Sequence, residues 1–461
     1  MKSPLGGYNA SGSAVRSSKS LRAFLSRYPP SDRATFSIDA PSGVCFGVFN
    51  GLSITFVGII GRKIGLDSHM LAILSISAFV GLFLNVWIGH LSDRGHKEAW
   101  VFWPAVVSRF AVSAALVRIS PWLYLAVMSG YNVLANLGGP AYTGIMRSNY
   151  SDRYRGELMG YVRIAVQVST AVSAALAGAL MQVLPGVDRV LFPIAAAFGV
   201  ASSVLFRRIR VRPAAVPAAV PAAVPAAAGS LTGKADVSTP APAAERTATI
   251  CDGPVAEGFL SAFTDMTKDK LFMAYMAIYF VIGFPDKLVV ALEPIRFVDE
   301  LRMDYAAAGL IQGTIPLAGA LLGYFAYAKL ADRINPFVAL MATSLLSSAR
   351  FINTALALAP LQLIPGAFLN GVANAGWDLI PMFSLMLFAR RERLSLYFGF
   401  HSTLIGLRGM IGPVIGTWLY SGLHVKIATI YLISFFIELG GTALLLPFYA
   451  KLRSGGIYGR S

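Results

Sequence analysis

The chain has 461 residues, of which 56% are hydrophobic and 13% charged, with a mean hydropathy of +0.62. Soluble proteins have about 25% charged and 45–50% apolar residues, so this composition excludes an ordinary soluble enzyme and a disordered chain. The formal net charge of +16 does not require nucleic acid, because cytoplasmic loops of membrane proteins are also rich in Lys and Arg. We predict a polytopic helical membrane protein without a nucleic-acid partner.

Apolar runs of about 20 residues, the length of helix that crosses a bilayer, recur along the chain. We predict an all-α protein with twelve transmembrane helices, the first six near 42–60, 70–89, 99–119, 121–146, 158–184 and 190–206. The second six are predicted near 271–293, 306–328, 337–358, 361–388, 394–420 and 427–449. Most Lys and Arg residues then lie on the side of the N-terminus, so both termini are predicted to be cytoplasmic.

The predicted spans divide the chain into five parts. These are a basic cytoplasmic tail (1–41), a six-helix bundle (42–206), a cytoplasmic Ala/Pro-rich linker (207–258), a second bundle (259–450) and a cytoplasmic tail (451–461). Proline at every fourth residue from Pro213 to Pro225 forbids a continuous helix and favours an extended spacer. We therefore interpret the linker as a spacer.

The two sets of six spans resemble each other. Four patterns recur in the same order at nearly the same offset: Asp93-Arg94 and Asp332-Arg333, Arg109-Phe110 and Arg350-Phe351, Asn132/Asn136 and Asn370/Asn374, and Arg153/Arg155 and Arg391/Arg393. Many transporters are built from such repeats. We predict an internal duplication that gives two pseudo-symmetric six-helix bundles.

Two loops carry a family resemblance. The segment 89–97, GHLSDRGHK, resembles the signature loop of the major facilitator superfamily, although it is one residue short and has His96 where Arg is usual. The segment 152–160, DRYRGELMG, is similar to the second cytoplasmic loop of that family. The resemblance implies the fold of the superfamily and a secondary transporter that alternates between inward-open and outward-open states. It also places the protein in a bacterial inner membrane.

The signature loop and its repeat predict a cytoplasmic gate. An anion just beyond a helix end can meet a neighbouring helix N-terminus and nearby Arg or Lys, and so hold the helix ends together in one state. The predicted gating residues are Asp93, Arg94, Asp332, Arg333, Arg153 and Arg155. The alternative is that they are solvated loop charges worth less than about 1 kcal/mol.

Ionisable residues inside the spans each cost on the order of 3 kcal/mol on insertion scales, so they invite a functional explanation. The basic ones are Arg109, Arg163, Lys287, Arg350 and Arg408, and the acidic ones are Asp286, Asp378 and Glu438, with Glu293 nearer the external end. We expect no acid in the spans of the first half. The excess of positive charge favours an anionic substrate.

These interior residues have competing interpretations. Arg109 is the stronger candidate for anion binding. The alternative is that it packs against other helices or hydrogen-bonds backbone carbonyl groups. Arg163 can instead extend to the cytoplasmic surface. For Arg350 and Arg408 the simpler interpretation is ion pairing with Asp378 and Glu438, which would join neighbouring helices.

Phe284-Pro285-Asp286-Lys287 interrupts the seventh span, where proline bends the helix and frees a carbonyl group. In the family that the chain resembles, the seventh helix lines the central cavity. That resemblance implies that Asp286 couples transport to protons and that Lys287 pairs with it or with an anionic substrate. The alternative places both residues in water near the external surface.

Amides and aromatic residues supply further candidates. Asn132 and Asn136, like Asn370 and Asn374, are four residues apart and therefore share a helix face. Each pair either binds substrate or joins helices by hydrogen bonds. Trp377 and Asp378 follow the second pair, as a candidate substrate contact and a candidate proton carrier. His401 can carry a proton near neutral pH or fill a structural role.

Together these features predict secondary active transport of a small polar, anionic organic solute by alternating access, coupled to protons, in a monomer. Drug or amphiphile efflux by proton antiport is the alternative within the class. A sensor or assembly factor on a transporter scaffold is the alternative outside it. The sequence has no HExxH, GxSxG or Walker-type loop, so we predict no enzymatic activity, cofactor or metal site.

Overall fold

A computed structural model describes residues 25–93, 97–114, 120–151, 153–210, 264, 266–330, 335–388 and 394–454. Most of the predicted linker and both chain ends lie outside these residues. The first six main helices are α1 (Pro30–Leu52, extended by Val57–Ile64), α2 (Ser68–Asp93), α3 (Lys97–Ala114), α4 (Pro121–Leu137, continued by Gly139–Asn149), α5 (Arg155–Val183) and α6 (Asp188–Phe206). The next six are α7 (Lys270–Val289), α8 (Ile315–Leu330, preceded by turns from Tyr305), α9 (Pro336–Leu356), α10 (Ile364–Phe388), α11 (Leu394–Thr417) and α12 (Ile427–Ser454).

Each of the twelve predicted spans is therefore helical in the described residues, which contain no strand. Within the part of the chain that the structure describes, seven helices are long and apolar enough to cross a membrane: Pro30–Ile64, Arg155–Val183, Asp188–Phe206, Lys270–Val289, Tyr305–Tyr327, Pro360–Phe388 and Ile427–Arg453. A further helix, α2, has a shorter apolar stretch over Ser68–Leu84. The chain is an all-α, multi-pass membrane protein.

Helix α1 begins earlier than the sequence indicated. It starts at Pro30 rather than near residue 42, because proline suits the first helical position and Asp32 in the first turn complements the helix dipole. Phe36 and Asp39 are buried in the bundle. The expectation that the spans of the first half hold no acid is therefore wrong, since Asp39 belongs to α1.

Helix packing repeats between the two halves. In the first half α1 packs on α5 and α6, α2 on α4, and α3 on α6; in the second half α7 packs on α11 and α12, α8 on α10, and α9 on α12. The contacts between the halves also come in a symmetric pair, α5 with the turns that begin α8, and α11 with α2. This is the packing expected of two duplicated bundles.

The halves make close contacts at the ends predicted to be external. Arg62 forms an ion pair with Asp299, and the Thr314 hydroxyl donates to the carbonyl of Ala171 at 3.0 Å. A Cβ atom at Gly309 would lie 2.3 Å from the Ala174 carbonyl oxygen, so only glycine permits this approach of the two backbones. In the orientation predicted from charge, these contacts lie towards the external side.

Candidate functional site

Arg350 of α9 lies between two carboxyl groups near the C-terminal end of α7. Its Nη2 is 2.6 Å from Asp286 Oδ1, and its Nη1 is 3.8 Å from Glu293 Oε2. Lys287 Nζ lies 2.5 Å from Asp286 Oδ2, so the predicted pairing of Asp286 with Lys287 is present. Two carboxylates and two cations make this group electrically balanced.

Arg350 and Glu293 line a cavity of about 400 Å³. Its polar wall includes Gln312 and the two amides Asn370 and Asn374 of α10. The first half contributes Thr55, in the short turn after α1, and Gly58, in the extension of α1. The cavity therefore combines a cation, a carboxylate and neutral hydrogen-bonding groups at the boundary between the halves.

Lys287 also reaches the other half of the molecule. Its Nζ lies 5.1 Å from the centre of the Phe79 ring on α2. The side chain of Asp286 is 40% exposed, although it contacts two cations. A charge change at Asp286 would therefore act on α7, α9 and, through Lys287, on the contact between the halves.

Arg109 makes contacts of a different kind. Its Nη1 donates to the Gly199 carbonyl and to the Ser203 hydroxyl, both at 2.6 Å. Its guanidinium carbon is 4.8 Å from the centre of the Phe46 ring. These contacts join α3 to α6 and α1, which corresponds to the packing alternative rather than to an open anion site.

The two amide pairs also differ. The Asn132 side chain donates to the Leu74 carbonyl at 3.1 Å and to the Ser77 hydroxyl at 3.0 Å, and Asn136 donates to the Ala78 carbonyl at 3.3 Å. The first pair thus joins α4 to α2. Asn370 and Asn374 instead line the cavity.

The predicted pairing of Arg350 and Arg408 with Asp378 and Glu438 is not present. Asp378 accepts a hydrogen bond from Tyr324 and lies 4.0 Å from Arg163, a residue of the other half. It follows Asn370 and Asn374 on one face of α10, two turns beyond Asn370 towards the C-terminal end of the helix, and this separates it from Arg350. Arg163 is 73% exposed and Asp378 53%.

Trp377 and His401 belong to an aromatic group around Tyr279 of α7. The ring of Tyr279 lies 5.7 Å from that of Trp377 and 4.6 Å from that of His401. Arg408 donates to the Tyr279 carbonyl at 3.1 Å, and a Cβ atom at Gly283 would lie 1.7 Å from Arg408 Nη1. Glycine at 283 therefore makes room for this guanidinium.

Glu438 of α12 lies among hydroxyl groups. Its Oε1 accepts from Ser344 at 3.3 Å, and Ser344 also contacts the Thr442 hydroxyl at 2.5 Å. The residue is 2% exposed, and its Oε2 has no hydrogen-bond partner among the described residues.

Of the predicted gating residues, only Arg153 and Arg155 have described side chains. Arg153 lies over the Tyr154 ring at 5.2 Å, and Arg155 donates to the Arg147 carbonyl at 3.0 Å. The side chain of Asp93, and the predicted residues Arg94, Asp332 and Arg333, lie outside the described residues. The proposed gate therefore stays a prediction.

Two residues around the site were not singled out from the sequence, and a third was named without its partner. Gln312 and Tyr324 are ordinary polar residues in apolar helices, and nothing in their spacing marks them. Glu293 was placed near the external end, but only the short turn Glu293–Ile295 after α7 brings its carboxyl group back towards Arg350.

Known proteins confirm the fold. A family profile described as Major Facilitator Superfamily matches residues 40–286. A bacterial homolog of the human lysosomal transporter Spinster, solved in an inward-facing unoccupied conformation, superposes with a TM-score of 0.60 at 12% identity, covering 92% of this chain and 96% of that one. The nucleoside transporter NupG gives 0.61 at 12% identity, covering 90% and 99%. No curated protein matches the chain at a significant level of sequence similarity.

Proposed function

The chain belongs to the Major Facilitator Superfamily, and we propose that this secondary transporter carries a small polar organic anion through the cavity beside Arg350, driven by a proton gradient. The observation that carries the proposal is the position of Arg350, which lines a cavity bounded by both halves while it is shared by two carboxylates. A guanidinium binds carboxylate and phosphate groups through two parallel hydrogen bonds.

The two contacts of Arg350 differ in length, and this difference supports an exchange of partners. The 2.6 Å contact with Asp286 is a close charge-assisted hydrogen bond, whereas the 3.8 Å contact with Glu293 exceeds the ~2.7–2.9 Å typical of such bonds. An anionic substrate can therefore take Nη1 from Glu293 while Asp286 holds Nη2. Asn370 and Asn374 would then bind the polar remainder of the substrate.

This exchange also supplies a coupling step. When an anion occupies Nη1, Glu293 loses its counter-charge next to a second negative group, and proton uptake removes the repulsion. A neutral Glu293 beside a bound anion keeps the charge of the site unchanged. Of the earlier proton-coupling candidates, Asp286 would orient Arg350, and Asp378 would act nearer the cytoplasmic opening. His401 remains a further candidate.

A thermal-shift screen of the purified protein in detergent tests the substrate class. The library contains organic acids, phosphate esters, nucleosides, sugars, amino acids and cationic dyes, because a ligand that binds only the folded state raises the melting temperature. We expect hits among the anions that are lost in Arg350→Ala and retained in Arg109→Ala, the matched interior arginine. Hits among dyes that survive Arg350→Ala would contradict the anion proposal and favour efflux. If the protein binds ligands in this screen but transports none of them in proteoliposomes, the result would favour the sensor alternative.

Uptake of an anion hit into proteoliposomes tests the coupling. We expect a pH gradient to drive accumulation by the wild type but not by Glu293→Gln, while exchange of internal for external substrate continues in the variant. Glu157→Gln, which changes an exposed carboxyl group at the cytoplasmic end of α5, is the control and should keep gradient-driven uptake. Undiminished accumulation by Glu293→Gln would refute this step.

A further inference from the structure

Glu438 is the buried acid that the proposed exchange at Arg350 does not use. It lies on α12 against α9, at 2% exposure, and no described Lys, Arg or His comes within ion-pair distance. An isolated buried carboxylate is costly, so such a group is either paired or neutral. The groups around Glu438 therefore indicate whether a basic side chain, a metal ion or a proton neutralises it.

Hydroxyl groups surround this carboxyl group from two helices. Ser344 of α9 donates to Oε1, and Thr442 is one turn along α12 and contacts Ser344. Ser347, on the same helix as Ser344, also lies beside the carboxyl group. One turn before Glu438, Ser434 is fully buried and its hydroxyl oxygen has no partner among the described residues. The group can therefore accept hydrogen bonds but gains no compensating charge.

The contacts of Glu438 favour a proton over a bound metal ion. The hydroxyl oxygens of Ser344 and Thr442 are 2.5 Å apart, so they form a hydrogen bond with each other. The described residues hold no group of three or more His, Cys, Asp or Glu side chains that could bind a metal ion. A proton on the unpartnered Oε2 is therefore the neutralising cation that these contacts favour.

The charged groups facing Glu438 connect it to the transport site. Arg350 approaches from α9, one turn beyond Ser347, and Asp286 from α7, while the turn Trp418–Gly422 that also packs on α12 holds no charged residue. In this structure Arg350 is held by Asp286 and Glu293. Its two terminal nitrogens therefore contact these carboxyl groups and not Glu438.

We propose that Glu438 is a proton-binding residue of the transport cycle, neutral while Arg350 is held by Asp286 and Glu293, whose proton is released when Arg350 changes partners. The O–H bond of the Glu438 carboxyl group breaks, the proton passes to water in the cavity, and Arg350 becomes the counter-charge of the carboxylate. The assignment rests on the proposed function for its place in the cycle, but the protonation itself does not require a substrate.

Infrared spectra of the protein in lipid vesicles test the protonation directly. At neutral pH in potassium buffer, the wild type should show a carboxylic-acid C=O band that Glu438→Gln lacks, with an unchanged melting temperature. Glu157→Gln should keep the whole band, because its carboxyl group is exposed. In Arg350→Gln the Glu438 component should persist to a pH higher by about one unit, since a cation that favours the ionised form is gone.

Two results would overturn the proposal. One is an identical band in wild type and Glu438→Gln, which would mean that Glu438 is ionised. The other is loss of the band when Na⁺ replaces K⁺, which would identify a metal-ion site. Because no ligand is added, failure here is distinguishable from failure of the anion proposal, which the thermal-shift screen decides separately.

Discussion

The two halves carry the same polar residues at matching positions but place them in different surroundings. Arg109 of α3 donates to a carbonyl and a hydroxyl of α6, whereas its counterpart Arg350 of α9 faces two carboxylates and a cavity. Asn132 bonds α2, whereas Asn370 lines the cavity. In the first half these residues stabilise helix packing, and in the second half we propose that they bind substrate. If the predicted duplication and the proposed site are correct, the two halves share residue types but not roles.

The largest expected effect is that of Arg350→Ala. It leaves Asp286 and Glu293 without their shared cation, and we expect loss of ligand binding with about 2 kcal/mol or more of destabilisation, below the ~3–5 kcal/mol of a fully buried pair because Asp286 is 40% exposed. Denaturation in detergent and the ligand-dependent thermal shift measure the two effects. Adding Asp286→Asn to Arg350→Gln should restore part of the stability; a further loss of stability would mean that the two side chains are not coupled.

The matching change in the first half, Arg109→Met, should affect stability alone. It removes two hydrogen bonds from a charged group, which contribute about 1.5–3 kcal/mol each at most, and methionine keeps the contact with the Phe46 ring. We expect a lower melting temperature with the ligand-dependent shift retained. Loss of that shift in a well-folded variant would remove the distinction between the halves.

The amide pairs give a smaller version of the same contrast. Asn132→Ala should cost about 0.6–2 kcal/mol because it removes hydrogen bonds between α4 and α2. Asn370→Ala should change stability by less than about 0.5 kcal/mol but weaken ligand binding. Melting curves with and without ligand measure stability and ligand binding in both variants. Equal losses of stability in Asn132→Ala and Asn370→Ala would show that both amides are structural.

The smallest effect is expected at the outer contact between the halves. Asp299→Ala breaks an ion pair whose side chains are 26% and 38% exposed, and such exposed pairs contribute about 0–1 kcal/mol. The predicted result is a modest rise in labelling of a cysteine introduced at Thr314, relative to the same cysteine beside intact Asp299. Charge exchange, Arg62→Asp with Asp299→Arg, should return labelling to the original level.

The fold was predictable from the sequence because hydropathy and repetition are properties of whole helices. The positions of Asp93-Arg94 and Asp332-Arg333 gave the family and the duplication without any tertiary information. The start of α1 was not predictable, since residues 30–41 are too polar to resemble a membrane span but are packed within the bundle.

The site was predictable in residue type and less so in pairing. Arg350, Asn370 and Asn374 were recognised as polar residues in apolar helices, but sequence alone could not tell that Arg350 meets Asp286 and Glu293 rather than Asp378. Which carboxyl group Arg350 meets depends on the rotation and depth of α9 and α10. A shift by one helical turn changes the depth of a side chain by about 5.4 Å. For the same reason Arg109 resembled its counterpart until the position of Gly199 on α6 was known.

Counterflow of an anion hit in proteoliposomes, compared between Arg350→Lys and Arg109→Lys, tests the central claim most directly. Both variants keep the positive charge and lose the planar guanidinium, so they differ only in the half that carries the change. We predict that Arg350→Lys slows counterflow strongly and that Arg109→Lys does not. Equal rates in the two variants, or slower exchange in Arg109→Lys, would contradict the assignment of substrate binding to the second half.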